Sequence, residues 1–238
     1  NCPHCKQGDN SIRETRDNVI VRMRTGSNTD VHQWYLCATG RLDNTWLNPS
    51  DRVEAPLVRQ GDGPGAVEWA VAIRGAATML GGARVVALVS PMLSNESLFL
   101  ASRVVAKTGG KGVFRVATGP EAPLPGVPDL ALRSERAANV RGAELLGFAK
   151  SASPLEELRA GDVLLVIGET LGAAEAAALS RASQVIVIAP ALPVGARRAA
   201  SAPPASAVAE AAGTAPHPPG PLQRDCRAGP CPRSAPPA

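Results

Sequence analysis

Aromatic side chains are almost missing from this chain: 3 Trp, 1 Tyr and 3 Phe in 238 residues, with none after Phe148. Hydrophobic content is nevertheless 45%, so any core must be built from Val, Leu, Ile and Ala. Histidine is as scarce, with only His4, His32 and His217, and no G-x-S-x-G occurs, so no nucleophilic triad is legible. There is no G-x4-G-K-[ST] phosphate loop; Gly109-Gly110-Lys111-Gly112 stops a helix before a strand, the wrong order for cradling phosphate. The longest apolar runs, Val85–Val89 and Val163–Ile167, are strand-sized, so no direct membrane insertion is expected. The 25 basic residues are scattered, the net charge is only +4, and no basic block is interleaved with aromatics, which argues against nucleic acid as a partner. No signal peptide is visible, and the first residue is Asn1 rather than Met, which reads as a fragment lacking its upstream part.

Against these absences stand five cysteines, three of them near the start. Cys2, Cys5, Asp9 and Cys37 spell C-x2-C-x3-D-x27-C, the spacing of an iron–sulfur site with one cysteine replaced by aspartate. A 4Fe-4S cluster needs four donors, usually thiolates. Clustered thiols without a secretory signal indicate a metal rather than disulfides. Two other readings stay open. A zinc ion could use Cys2, Cys5, Cys37 and His4 or His32, although a second C-x-x-C or H-x3-H knuckle is missing; the loops could also be an empty vestige. Asp9 is a harder donor than a thiolate, so the iron it held would be labile and a 3Fe-4S cluster could remain, or no cluster at all. Alternatively Asp9 is a turn residue before Asn10, favoured by Gly8. His4 and His32 read as hydrogen-bonded or exposed loop residues, and Arg41 as a surface arginine or a charge that tunes the site. Cys226 and Cys231 read as unrelated to it.

The chain divides by composition into three stretches. Residues 1–55 are polar; Ser11–Arg16 and Val19–Arg24 alternate around the Asp17-Asn18 turn signal and predict a hairpin, followed by a short helix over Ala38–Leu47. Trp34, Tyr35 and Trp46 are expected to shield the cysteine loops. Residues 56–195 alternate helices with apolar strands. Helices are predicted over Gly65–Leu80, Ser94–Lys107 (capped by Ser94), Arg141–Ala149, Pro154–Arg159 and Ala173–Arg181. Strands are predicted over Arg84–Val89, Gly112–Ala117, Asp162–Ile167 and Gln184–Ala189. Such alternation indicates α/β class with a doubly wound parallel sheet covered on both faces. The loop Gly168–Gly172 falls where such sheets bind ligands, without the full dinucleotide pattern. Residues 196–238 hold ten of the 22 prolines and are expected to be a disordered Pro/Ala-rich tail.

The order of these motifs resembles the molybdopterin oxidoreductase superfamily and, within it, the large iron–sulfur subunit (75-kDa in mitochondria) of NADH:quinone oxidoreductase, respiratory complex I. The resemblance is carried by the cysteine spacing, Cys37-Ala-Thr-Gly-Arg41 with Trp46, Pro56-Leu-Val-Arg59 before Trp69, Ser90-Pro-Met-Leu-Ser-Asn-Glu96, Arg133-Ser-Glu-Arg-Ala-Ala-Asn-Val-Arg-Gly-Ala143 and Val166-Ile-Gly-Glu169. It covers residues 1–195. It implies a small β-rich 4Fe-4S domain over 1–55, an incomplete pterin-type α/β domain over 56–195, and Cys2, Cys5, Asp9 and Cys37 as the cluster ligands. No residue here is implied to be catalytic, and the fragment alone is not expected to oxidise NADH or reduce quinone; the assembled complex would. The implied partners are other peripheral-arm subunits of complex I, and the implied location is the cytoplasmic side of the bacterial inner membrane, peripheral to it. Three departures matter. Asp9 stands where cluster-bearing members have cysteine. Thr39 stands where wider-superfamily enzymes often carry lysine, and no molybdenum-ligand context follows residue 90, so no molybdopterin is expected. A molybdopterin-dependent enzyme such as formate dehydrogenase, or a cofactor-free structural domain, are the alternatives. Near Ala215 the chain leaves the family pattern after Gly213-Thr214, as a reading-frame shift would make it do.

Overall fold

The computed structural model describes residues 1–17, 19–43, 45–48, 51–61, 63–194, 199–216 and 222–227. The first unit is a hairpin, β1 (Ser11–Arg16) and β2 (Val19–Thr25), paired antiparallel from Ser11↔Thr25 to Arg16↔Val19. Asp17 takes a positive φ of 50° in its turn, as the Asp-Asn signal requires; Asn18 lies outside the described residues. The helix expected over 38–47 is shorter: α1 (Ala38–Leu42) ends at Asp43, and a 3-10 turn covers Thr45–Leu47. Five-residue helices are too short to persist on propensity alone. Cys37 caps α1, its sulfur accepting from the Gly40 N–H at 3.4 Å.

Next come β3 (Leu57–Gln60) and β4 (Gly63–Ala66), which form an antiparallel hairpin turned at Gly61, whose φ is 58°. This hairpin corrects the expected helix start: α2 spans Trp69–Leu80, and Gly65-Ala66 belong to β4. Gly-Pro-Gly is a poor helix opening and a tolerable edge strand. Within α2 only Ala72 is buried, while Val71 is 44% exposed.

The centre is the expected parallel sheet. β5 (Val85–Val89), α3 (Asn95–Lys107) and β6 (Lys111–Phe114) form one unit. A hairpin of β7 (Ala122–Leu124) and β8 (Val127–Leu132) follows. After it come α4 (Val140–Leu145), β9 (Ala149–Lys150), a 3-10 turn at Pro154–Glu157 and β10 (Val163–Ile167). A further 3-10 turn at Ala173–Glu175, α5 (Ala176–Leu179) and β11 (Gln184–Ile188) complete the stretch up to residue 195. The strand order is β4-β3-β12-β11-β10-β5-β6-β9, where β12 (Ser201–Ala202) lies beyond that stretch. All neighbours from β12 to β9 run parallel. Side chains alternate between two apolar layers. Val85, Ala87, Val89, Val163 and Leu165 pack with Leu98, Ala101, Val140 and Ala143 from α3 and α4. Val86, Leu88, Leu164 and Val166 pack with Leu155, Leu158 and Leu171 on the other face. Burial on both faces is why these strands read as unbroken apolar runs.

Residues 199–216 and 222–227 correct part of the expected disordered tail. β12 pairs parallel with β11 through Ile186↔Ser201 and antiparallel with β3 through Ser201↔Val58 and Ala202↔Leu57. Ala209 joins Ile20, Met23 and Leu47 in the small core of the first unit. β13 (Gly213–Pro216) and β14 (Leu222–Asp225) form a hairpin. Composition reflects only what a segment can bury by itself; here small Ala side chains fill space that other elements enclose. The rest of 196–238, with Cys231, lies outside the described residues.

Candidate functional site

The loop Cys2–Asp9 folds back on itself: the Cys2 N–H donates to the Asp9 carbonyl at 2.7 Å, and Gly8 takes a φ of 77° at the turn. That return turns the Asp9 side chain inward. Cys2 and Cys5 are each 3% exposed and Asp9 is 2% exposed, while Cys37 is half-buried. The three cysteines are free. The Gly40 N–H donates to Cys37 Sγ at 3.4 Å, while the backbones of His4, toward Cys2, and of Gln7 and Arg133, toward Cys5, oppose the rise of those two thiols. Burial, first of all, and then Cys5, Asp9 and Cys37 push the Cys2 thiol up to about 12, with the backbone of His4 opposing. Burial raises Cys5 as well, with Asp9 and Cys37 adding to it. Burial also lifts the Asp9 carboxyl to about 7, with the Arg133 guanidinium opposing. The four sequence-predicted residues thus lie within electrostatic reach of one another.

Two features bear on what the four could hold. Asp9 Oδ1 is buried with no hydrogen-bond partner, which a merely solvated turn residue would not be. A Cβ at Gly40 would lie 2.9 Å from Cys2 Sγ and 2.8 Å from Leu36 Cδ1, so only glycine leaves that space beside the sulfur open. Cys2, Cys5 and Asp9 lose their protons only at a cost, and such a set with a third thiol beside it is donor chemistry that a polynuclear metal centre neutralises. Among the described residues, no group of three His, Cys, Asp or Glu side chains is placed to hold a single metal ion.

Neither loop histidine stands among these donors. His32 is fully buried: the Asn10 N–H donates to its Nε2 at 3.0 Å, so Nδ1 carries the proton and donates to the Tyr35 carbonyl at 2.7 Å. This neutral imidazole pins the second loop to the residue after Asp9. His4 contacts the Asp43 carbonyl at 3.0 Å and meets Trp46 edge-on at 5.9 Å. Shielding differs from expectation: Trp34 is 69% exposed and covers nothing, whereas Leu36, Val31 and Met23 are buried. Tyr35 does face the site, its phenol raised by burial and by Cys37, Asp9 and Cys5. Arg41 is exposed on α1. Cys226 is also exposed, but its hairpin lies against the cysteine loop, where Gln223 donates to the Gly8 carbonyl at 2.9 Å.

Sequence reasoning missed Arg133 as a site neighbour. Its Nε donates to Gln7 Oε1 at 2.6 Å across 126 residues of chain. No local pattern announces such a contact. The Pro125-Gly126 turn of the hairpin that delivers it, with Gly126 at φ 79°, is legible and was the available signal.

A second concavity lies outside the carboxyl ends of β5 and β10, where the strand order reverses. It has a volume of about 1390 Å³, and its lining includes Ser90, Arg115, Arg136 and Glu169 from the sheet side and His4 and Trp46 from the first unit. Arg115 bonds Glu175 at 2.7 Å and lies 3.6 Å from Glu169 in the Gly168–Gly172 loop. The family-like segments meet elsewhere. Asn139 donates to the Leu93 carbonyl and to Asn95 Oδ1, and accepts from the Gly142 N–H; Thr214 donates to Glu96. Those residues brace the start of α3.

No protein-family model matches the chain. Its similarity to known proteins points to oxidoreductase subunits. It is 28% identical over 170 residues to the NADH-quinone oxidoreductase G subunit of Salmonella typhimurium, covering 71% of this chain and 17% of that protein. To the corresponding G subunit of Escherichia coli K12 it is 30% identical over 107 residues, covering 44% and 12%. To the NADPH-Fe(3+) oxidoreductase subunit alpha of Geobacter sulfurreducens it is 25% identical over 180 residues, covering 72% and 19%. The chain is therefore distantly related to NADH-quinone oxidoreductase G subunits, within a general oxidoreductase context, and spans less than a fifth of the length of these relatives.

Proposed function

We propose that this chain is an electron-transfer and scaffold segment of an NADH:quinone-oxidoreductase-type assembly, and that Cys2, Cys5, Cys37 and Asp9 hold an iron–sulfur cluster. The observation that carries the reading is the pair of buried thiols, Cys2 and Cys5, with the half-buried Cys37, whose sulfur takes the Gly40 N–H, and one buried carboxyl oxygen without a hydrogen-bond partner on Asp9. N–H donors to sulfur and a water-poor pocket are the protein's means of holding such a group and setting its potential. When bound, the cluster supplies a one-electron relay. The four donors suit a 4Fe-4S core, and the harder Asp9 oxygen makes its iron the labile one, which would leave a 3Fe-4S form. Residues 1–55 are proposed as the cluster unit and 56–195 as an incomplete pterin-type scaffold. No pterin is proposed for the crevice: Arg115, one of the two arginines lining it, is already committed to Glu175 and Glu169. The partners proposed are other peripheral-arm subunits, at the cytoplasmic face of a bacterial inner membrane. No described helix is long and apolar enough to cross a membrane.

The test is anaerobic reconstitution of the 238-residue chain with iron and sulfide, followed by metal and sulfide analysis and EPR of oxidised and reduced samples. A three- or four-iron signal that disappears in Cys37→Ser, and that gains iron in Asp9→Cys, is expected. Failure of both the wild type and Asp9→Cys to bind iron would leave a cofactor-free scaffold.

A further inference from the structure

The cysteine loop does not stand alone; it is clasped by the segment that leaves the β7–β8 hairpin. Arg133 Nε donates to the buried Gln7 side chain at 2.6 Å, two residues from both Cys5 and Asp9. Two residues on, Glu135 receives Lys6 at 2.9 Å and Lys150 at 2.6 Å. The segment is itself held from behind. Gly119 donates to the Ser134 carbonyl at 3.0 Å, Arg136 N–H donates to the Ala117 carbonyl at 2.9 Å, and the Arg136 guanidinium holds the Arg133 carbonyl. The Arg133 guanidinium is fixed on its other side by the Asp129 carbonyl and by Glu121 at 3.5 Å.

We infer that Arg133 is a positioning residue that sets the reduction potential of the cluster site, through the cation it seats on Gln7, in the loop between Cys5 and Asp9. The inference rests on the cluster proposed for Cys2, Cys5, Cys37 and Asp9. Reduction adds a negative charge to a buried centre, and a fixed cation nearby stabilises the reduced form more than the oxidised one. Arg133 is delivered by the α/β region, not by the loops that carry the donors, so the potential is set from across the boundary between the two. Glu121 partly offsets the cation and is itself 45% exposed, away from the donors, so it gives an independent handle.

The experiment is an EPR-monitored redox titration of the reconstituted full chain, comparing wild type with Arg133→Gln, Arg133→Lys and Glu121→Gln. Arg133→Gln is expected to move the midpoint to more negative potential at unchanged iron content, Arg133→Lys to restore it, and Glu121→Gln to move it the opposite way. A midpoint shared by wild type and Arg133→Gln overturns the inference while leaving the cluster itself intact. If Arg133→Gln assembles no cluster, Glu121→Gln decides: an upward shift upholds the inference and an unmoved midpoint overturns it. A wild type that binds no iron overturns both.

Discussion

In β5 all five residues are buried and in β10 four of five, whereas the β1–β2 hairpin buries only Ile20 and Met23. The sheet is specified by apolar area on two faces. The cysteine unit is specified by polar hydrogen bonds, such as His32 to Tyr35 and Asn10 to His32, and by a pocket that holds thiols and a carboxyl away from water. Apolar burial stabilises without any ligand. A pocket of partnerless donors does so only when something joins them. One region therefore folds on its own account, and under the proposed function the other is finished by its cluster.

That contrast can be broken most severely at the sheet. Leu164→Ala empties a fully buried site in the layer with Leu155 and Leu171, and should cost about 4 kcal/mol by urea unfolding, toward the upper end for such truncations. The second test sharpens the other side. With its pKa lifted from 3.8 to about 7, Asp9 prefers its proton in the folded state, so iron-free protein should lose stability as pH rises from about 4 through 7. The loss between pH 5 and pH 8 should be on the order of 3 kcal/mol, and Asp9→Asn should flatten it. Third comes the brace beside α3. A Cβ on Gly142 would sit 2.1 Å from Asn139 Oδ1 and 2.3 Å from Asn95 Oδ1, so Gly142→Ala should cost about 2 kcal/mol without altering iron binding. Smallest is Ser94→Ala, which removes the acceptor for the Ser97 N–H at the start of α3; thermal unfolding should report a loss of about 1 kcal/mol.

Legibility in the sequence followed the same divide. Continuous apolar runs announced β5, β10 and β11 within a residue or so, and Ser94 announced the cap of α3, because local pattern and burial agree there. The β3–β4 hairpin was hidden: its residues Gly63-Pro64-Gly65 carry no strand propensity and are paired through Leu57↔Ala66. At the candidate site, residue types and spacing singled out Cys2, Cys5, Asp9 and Cys37 as possible donors, since such a pattern is local in the chain. What surrounds them was not readable. His32 as an internal lock, Arg133 as a clasp and Gln223 as a cover are contacts made over 22, 126 and 215 residues. Trp34 departs from its expected shielding role because an aromatic beside a ligand motif says nothing about which way its ring turns.

The two residues of β12 have a consequence in time. On the side away from β4, Leu57 and Val58 obtain their sheet neighbours from Ala202 and Ser201. On a ribosome the β3–β4 hairpin must wait for roughly 145 further residues to be made, at about 5–20 per second, before its inner edge is covered. During those seconds an unpaired strand edge is open to other chains. A gene that ended shortly before Ser201 would make that exposure permanent, so the protein's solubility is written into one of its shortest strands.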